Sequence, residues 1–99
     1  MYLVKETGLF SKWLSKLGDI QGKVSIIRRI DRIKQGNFGD YKSLGDNLSE
    51  LRITVGAGYR VYYTQYNNEI IILLLGGDKS TQESDIKRAK AMAKEYKNE

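Results

Sequence analysis

The chain has no cysteine and no histidine. Without thiols there is neither a disulfide scaffold nor a thiolate metal site, and nothing argues for secretion. Without imidazole the usual general base, zinc ligand and nucleophile activator are missing together, so any catalysis must use Arg, Lys, Tyr, Asp or Glu. Long apolar runs are missing as well. The longest, Ile70 to Leu75, falls far short of the roughly 20 residues a membrane-spanning helix needs. The opening residues, Met1-Tyr2-Leu3-Val4-Lys5-Glu6, lack the basic-then-apolar layout of a secretory signal. These absences point to a cytoplasmic protein that needs no membrane.

What is present is compact. A chain of 99 residues buries only somewhat more than roughly 60% of its unfolded surface, too little for two independent cores, so residues 1–99 are read as one domain. With 40% hydrophobic and 29% charged residues, the composition lies in the globular range. Lys and Arg number 17 against 12 Asp and Glu, a net charge of +5. That balance favours a polyanionic partner, nucleic acid first; the alternative is a basic solvated surface with no specific partner.

Tyr2 to Lys5 reads as a short opening strand. Thr7 caps a first helix that carries Leu9, Phe10, Trp13, Leu14 and Leu17 at helical spacing and ends at Gly18. Asp19 caps a second helix, whose Ile20, Val24, Ile27, Ile30 and Ile33 are expected to form the apolar stripe while Lys23, Arg28, Arg29, Arg32 and Lys34 face outward. Residues 36–47, with three glycines and several turn formers, read as a loop pinned by Phe38, Tyr41 and Leu44. Alternation over Leu51 to Val55 and again over Tyr59 to Thr64 predicts a hairpin, and Asn67-Asn68 turns the chain into a last strand, apolar on both faces. Gly76-Gly77 is expected to break that strand. Ser80 to Glu83 reads as a capping box for a third helix that buries Ile86, Ala89, Ala93 and Tyr96.

If Gly56 to Gly58 form the hairpin loop, Val55 opposes Tyr59, Thr54 opposes Arg60 and Arg52 opposes Tyr62. Arg52, Arg60 and Tyr62 then share one sheet face, taken to be exposed. Like charges that close are unfavourable unless an anion sits between them. A phosphate satisfies the requirement; so does pairing with Glu50, Glu69 or carboxylates of the last helix. Lys79 arrives beside them at the end of the adjoining strand, just before a helix N-terminus whose free N–H groups suit an anion. The alternative there is a plain turn and cap.

Gly36-Asn37-Phe38-Gly39-Asp40, Glu50-Leu51-Arg52, Gly58-Tyr59-Arg60-Val61-Tyr62 and Gly76-Gly77-Asp78-Lys79-Ser80-Thr81-Gln82, in that order, resemble the HigB-like "addiction module killer" branch of the RelE/ParE toxin superfamily. The likeness runs from Leu9 to about Ala93. It implies an α+β fold in which an N-terminal strand and a helical hairpin pack on an antiparallel (mixed) sheet of about four strands, with a C-terminal helix. It implies a toxin that cuts messenger RNA on the ribosome through attack of a ribose 2′-hydroxyl on the adjacent phosphate. By that resemblance Arg60 holds the scissile phosphate, Lys79 stabilises the transition state, and Arg52 falls near the basic residues of the preceding strand. Some ribonuclease members carry a tyrosine base on the last helix where this chain has Asp85, so Asp85, Tyr62 or Glu50 is left to serve, or the geometry of the ribosome-bound substrate carries much of the burden. Arg28, Arg32, Lys42 and Gln82 are the candidate RNA-binding residues, the second helix otherwise reading as a solvated face.

The resemblance implies a helix-turn-helix antitoxin, messenger RNA and the ribosome as partners, with no metal and no cofactor. Two further readings stay open: a ParE-like inhibitor that binds DNA gyrase without catalysis, and a phage-derived module that has lost its toxicity.

Overall fold

A computed structural model describes residues 1–96. In chain order the elements are β1 (Leu3–Glu6), α1 (Gly8–Lys16), α2 (Ile20–Lys34), β2 (Tyr41–Gly45), β3 (Leu48–Ile53), β4 (Tyr59–Tyr66), β5 (Ile70–Asp78), a 3-10 turn (Lys79–Thr81) and α3 (Gln82–Ala93), which runs into a final 3-10 turn (Lys94–Tyr96). The sheet has five strands in the order β1-β5-β4-β3-β2. β1 runs parallel to β5 and the other neighbours are antiparallel. The architecture is thus the expected α+β one, with one strand more than the sequence suggests.

The extra strand is β2, inside the segment read as a loop. Its residues are mostly exposed, because it lies at the free edge of the sheet and has no core face to impose an alternating pattern. Asp46 and Asn47 connect it to β3 with φ of 53° and 62°. Both residues are in the left-handed region, as in the two-residue hairpin turn that matches strand twist. Asn67 and Asn68, at 56° and 61°, take the same left-handed conformation in the three-residue connection 67–69 that turns β4 into β5.

Helices cover both faces of the sheet. Phe10 of α1 and Ile26, Ile30 and Ile33 of α2 pack on Leu51, Ile53, Tyr59, Val61, Tyr63, Ile71 and Leu73. On the opposite face Ala89 and Ala93 of α3 meet Leu48, Tyr62, Ile72, Leu74 and Leu75. A helix on each side is why β5 is apolar throughout. The alanines let α3 come close.

α2 is rotated from the expected stripe. Ile20, Val24 and Ile27 are exposed, and Gly22 and Ile26 are buried in their place. The reason lies at Gly22: a Cβ there would strike the ring of Tyr59. The bare backbone lets α2 seat against that ring, and Tyr59 Oη then donates to Asp19 Oδ2 at 2.8 Å. Asp19 also accepts from Gly22 N at 3.0 Å as the helix cap. Those two hydrogen bonds, the helix one first, hold its carboxyl below the usual range.

Two further differences shape the site. Leu51 opposes Val61 and Arg52 opposes Arg60, so the β3–β4 connection spans residues 54–58 and the pairing is shifted by two from the predicted one. A two-residue shift preserves which face each side chain takes. It also makes Arg52 and Arg60 direct cross-strand neighbours. β5, for its part, continues through Gly76 and Gly77 to Asp78. Its register against β4 shifts between Tyr62 and Tyr63, where a bulge leaves Leu74 and Leu75 on the same face. Beyond the bulge, Gly76 lies under the Trp13 ring of α1 and Gly77 under the Asp85 carboxylate of α3.

Gly76→Ala is expected to lower stability by about 1–3 kcal/mol through overpacking against Trp13. Gly18→Ala, at a position with open space around it, should stay within about 0.5 kcal/mol of wild type. Urea denaturation of the two variants checks both, and equal midpoints would mean that α1 does not depend on a glycine at 76.

Candidate active site: cations around a buried carboxylate

Glu50 is 1% exposed in the middle of β3. A lone carboxylate in that position is strongly disfavoured and has to be paired and hydrogen-bonded. Arg52 Nε donates to Glu50 Oε2 at 3.2 Å. Arg60 Nε lies 4.0 Å from the same oxygen. The Gln82 carboxamide, from the first turn of α3, donates to Oε1 at 3.2 Å. One carboxylate thus bridges two arginines facing each other across β3 and β4, offsetting one of their two charges, and ties both to α3.

The pairing with Glu50 foreseen as one alternative is therefore present, and Arg60 is not on an open surface. It is 8% exposed, with one guanidinium nitrogen donating to Tyr59 O at 3.2 Å. The reason is α3, whose first turn closes over β4. Arg60 Nε and the Tyr62 hydroxyl are both buried without a hydrogen-bond partner. Burial first, then the nearby Glu50 and Asp85 carboxylates, pushes the Tyr62 phenol well above its ordinary range. Tyr62 therefore stays protonated and can offer a hydrogen; it has no readily available phenolate to act as a base. Buried donors without a hydrogen-bond partner are uncommon in a folded chain; Arg60 Nε is compensated only by the Glu50 charge 4.0 Å away.

Lys79 and Asp85 form the rim. Gly77 pairs with Arg60, and the Asp85 carboxylate rests on Gly77, where any Cβ would collide with it. Asp85 Oδ2 accepts from Thr81 Oγ1 at 2.6 Å. Lys79 lays its methylenes over Gly58, with Cε 2.8 Å from where a Cβ would stand. Gly58 has φ of 78°, so glycine is required there for both space and backbone conformation. The predicted capping box is replaced by other contacts: Asp78 accepts from Ser80 N at 2.8 Å, and Thr81 makes no capping bond to α3. Thr81 instead spends its hydroxyl on Asp85.

The remaining candidates divide between two places. Lys42 pairs with Glu50 across β2 and β3, which puts it on the same sheet face, exposed. Gln82 is committed to Glu50. Arg28 and Arg32 lie on the other side, where α2 and the end of β3 form a groove of about 270 Å³ also bordered by Arg29, Asp40 and Arg52. Arg52 borders both places.

Arg29, placed by periodicity on the solvated side, is half-buried. Its guanidinium donates to the carbonyls of Arg52 at 2.6 Å, Phe38 at 3.0 Å and Asp40 at 2.9 Å. It clamps the segment before β2 onto the end of β3. No local pattern distinguishes Arg29 from Arg28 or Arg32, because all three carbonyls come from elsewhere in the chain.

The family model of the phage-derived protein Gp49-like proteins (DUF891) matches residues 12–97. The chain belongs to the Gp49-like family. A Haemophilus influenzae protein described as uncharacterized is 53% identical over 92 residues, 93% of each chain. Among solved structures, the isolated Escherichia coli RelE toxin superposes on this Gp49-like chain with a TM-score of 0.66 at 16% identity, covering 89% of this chain and 98% of RelE. A chain of the intact E. coli RelBE toxin–antitoxin complex gives 0.62 at 15% identity, covering 79% of this chain and 96% of that one. The Gp49-like fold is therefore RelE-like. No helix among the described residues is long and apolar enough to cross a membrane.

Glu50→Ala is expected to destabilise the protein by about 3–5 kcal/mol, since it leaves the buried Arg60 without a counter-charge. Arg52→Ala, at a partly exposed pair, should cost about 1 kcal/mol or less. Chemical denaturation of both variants measures the difference. Similar midpoints would show that Glu50 does not hold the cluster together.

Proposed function

We propose that this Gp49-like chain is the toxin of a type II toxin–antitoxin module and acts as a ribosome-dependent messenger RNA endoribonuclease. The observation that carries the reading is the group of Arg60, Tyr62, Arg52 and Lys79 at one end of a RelE-like sheet. Two of its donors are buried and unsatisfied, and the group carries more positive charge than its carboxylates cancel.

In the proposed reaction a ribose 2′-hydroxyl attacks the neighbouring phosphorus. The P–O5′ bond breaks, leaving a 2′,3′-cyclic phosphate upstream and a 5′-hydroxyl downstream. Negative charge builds on the non-bridging oxygens, where preorganised donors are most effective. Partly exposed Arg52 donates to them directly, while Arg60 and Tyr62, enclosed beneath the first turn of α3, add positive field and a fixed dipole from below. Lys79, anchored over Gly58, supplies a mobile point charge able to protonate the departing 5′-oxygen. Asp85 is the carboxylate proposed to take the 2′-proton: it is only partly buried and accepts from Thr81 through one oxygen, whereas Glu50 is engaged with two arginines and Tyr62 is held protonated. Glu50 and Gln82 act as positioning residues for the arginines.

Arg28, Arg32 and Arg52 along the α2 groove, with Lys42 on the sheet's edge strand, are the residues proposed to contact RNA phosphates. The E. coli complex pairs its RelE with an antitoxin, which supports a similar partner here, proposed to be a small helix-turn-helix protein. The whole chain is read as one toxin domain working in the cytoplasm.

Lys79→Ala is the informative variant, because the side chain is exposed and its loss leaves the core intact. Expressed in a bacterial host beside wild type, it should reduce new messenger RNA 5′ ends within translated codons by about 10²–10³-fold at equal soluble protein. Growth arrest with intact messenger RNA and gyrase-dependent DNA breaks would replace this reading with a ParE-like one.

A further inference from the structure

Beyond the C-terminal end of α2, on the sheet face opposite the cation cluster, lies a cup of about 310 Å³ that the chemistry above does not use. Its walls are Tyr2, Phe38, Tyr41 and Tyr63, and Ser43 and Ser49 lie on its rim. Phe38 is the hub. Its ring stacks on Tyr63 at 5.6 Å, meets Tyr2 edge-on at 5.4 Å and tilts against Tyr41 at 5.8 Å. Tyr63 is buried, whereas Tyr41 is 53% exposed on the edge strand. The Tyr41 ring is thus outside the core, at the mouth of a concave, partly polar site where a planar group has room to stack on it.

The location narrows the ligand. The segment from Phe38 to Tyr41 is a wall shared by two concavities: Phe38 and Tyr41 face the cup, and Asp40 borders the arginine groove. Arg29 holds this wall through the carbonyls of Phe38 and Asp40, so the two sites keep a fixed relation. A ligand that fills both must carry anionic charge on one side of the wall and a planar ring on the other. Single-stranded nucleic acid has that repeat in every nucleotide. A net charge of +5 favours a ring delivered on a polyanion over a free neutral one.

We propose that the cup receives one unpaired nucleobase of an RNA strand whose phosphates lie in the α2 groove, an inference that rests on the RNA-binding reading of that groove. Tyr41 supplies the stacking face, and Phe38 and Tyr63 form the floor. The hydroxyls of Ser43 and Ser49 each donate and accept, so they meet any base edge, and recognition is tolerant of sequence.

The test uses the full-length protein and an unstructured ribo-oligonucleotide of about seven nucleotides. It is compared with the same backbone lacking its bases, and binding is read by fluorescence anisotropy over a salt series. Tyr41→Leu keeps apolar contact on the edge strand but removes the aromatic face. It should weaken binding of the intact oligonucleotide by roughly 5- to 150-fold, as losing a stacked base does. It should barely change binding of the base-free strand, and the salt dependence should stay the same. Replacing Arg28 and Arg32 by Ala should instead flatten the salt dependence for both strands. Equal affinity of wild type and Tyr41→Leu for the intact strand overturns the cup while leaving the groove. An equal loss on both strands also overturns it. No binding of either strand by wild type removes cup and groove together, and messenger RNA cuts persisting in cells would then leave the toxin reading standing without them.

Discussion

The site depends on one buried carboxylate. Glu50 sits in the middle of a strand covered on both faces, where an isolated charge is untenable. Two arginines from adjacent strands and a carboxamide from α3 converge on it. The same contacts answer a second difficulty, since Arg52 and Arg60 are direct cross-strand neighbours and would repel each other without an anion between them. Glu50 therefore holds the arginines together, and through Gln82 it ties the first turn of α3 to β3. Removing Glu50 is the costly break, because Arg60 would remain buried and charged without its counter-charge.

The two faces of the sheet do different work. The α1–α2 face is packed with large side chains from seven sheet positions and four helix positions, and it supplies most of the apolar burial. The α3 face is thinner, closed by two alanines at its centre, and this leaves room for polar groups beside the core. The bulge in β5 makes the division possible. By placing Leu74 and Leu75 on the same face it turns Gly77 toward Asp85 and Gly76 toward Trp13, so one glycine pair serves a core contact on one side and a polar rim on the other.

Arg29 performs the corresponding task on the far side of the molecule. Its three hydrogen bonds to main-chain carbonyls replace the regular pairing that the segment before β2 lacks. They fix the wall between the arginine groove and the aromatic cup. Burial lowers the pKa of this guanidinium, with the Asp40 carboxylate acting in the opposite sense; a guanidinium keeps its charge under such conditions, and a lysine would not provide the same planar fork.

Local pattern was enough for much of this. Helical spacing and the Thr7 and Asp19 caps located α1 and α2, period-two alternation located β3 and β4, and the Asn67-Asn68 pair located the turn into β5. Strict alternation also assigned Arg52, Arg60 and Tyr62 to a common face, because a register error of two residues leaves faces unchanged. Other features could not be read locally. β2 pairs at an edge where no core imposes a pattern; the rotation of α2 follows from a ring 37 positions away touching Gly22; and Gly76-Gly77 continues a strand because side chains from two different helices fill the space above the glycines. The sequence by itself determined which residues form helices and strands and which cations share a face, since those depend on near neighbours in the chain. Only the tertiary structure decided that Arg60 is enclosed, that Glu50 holds the cluster and that Arg29 is a clamp, because each depends on partners brought together from distant segments.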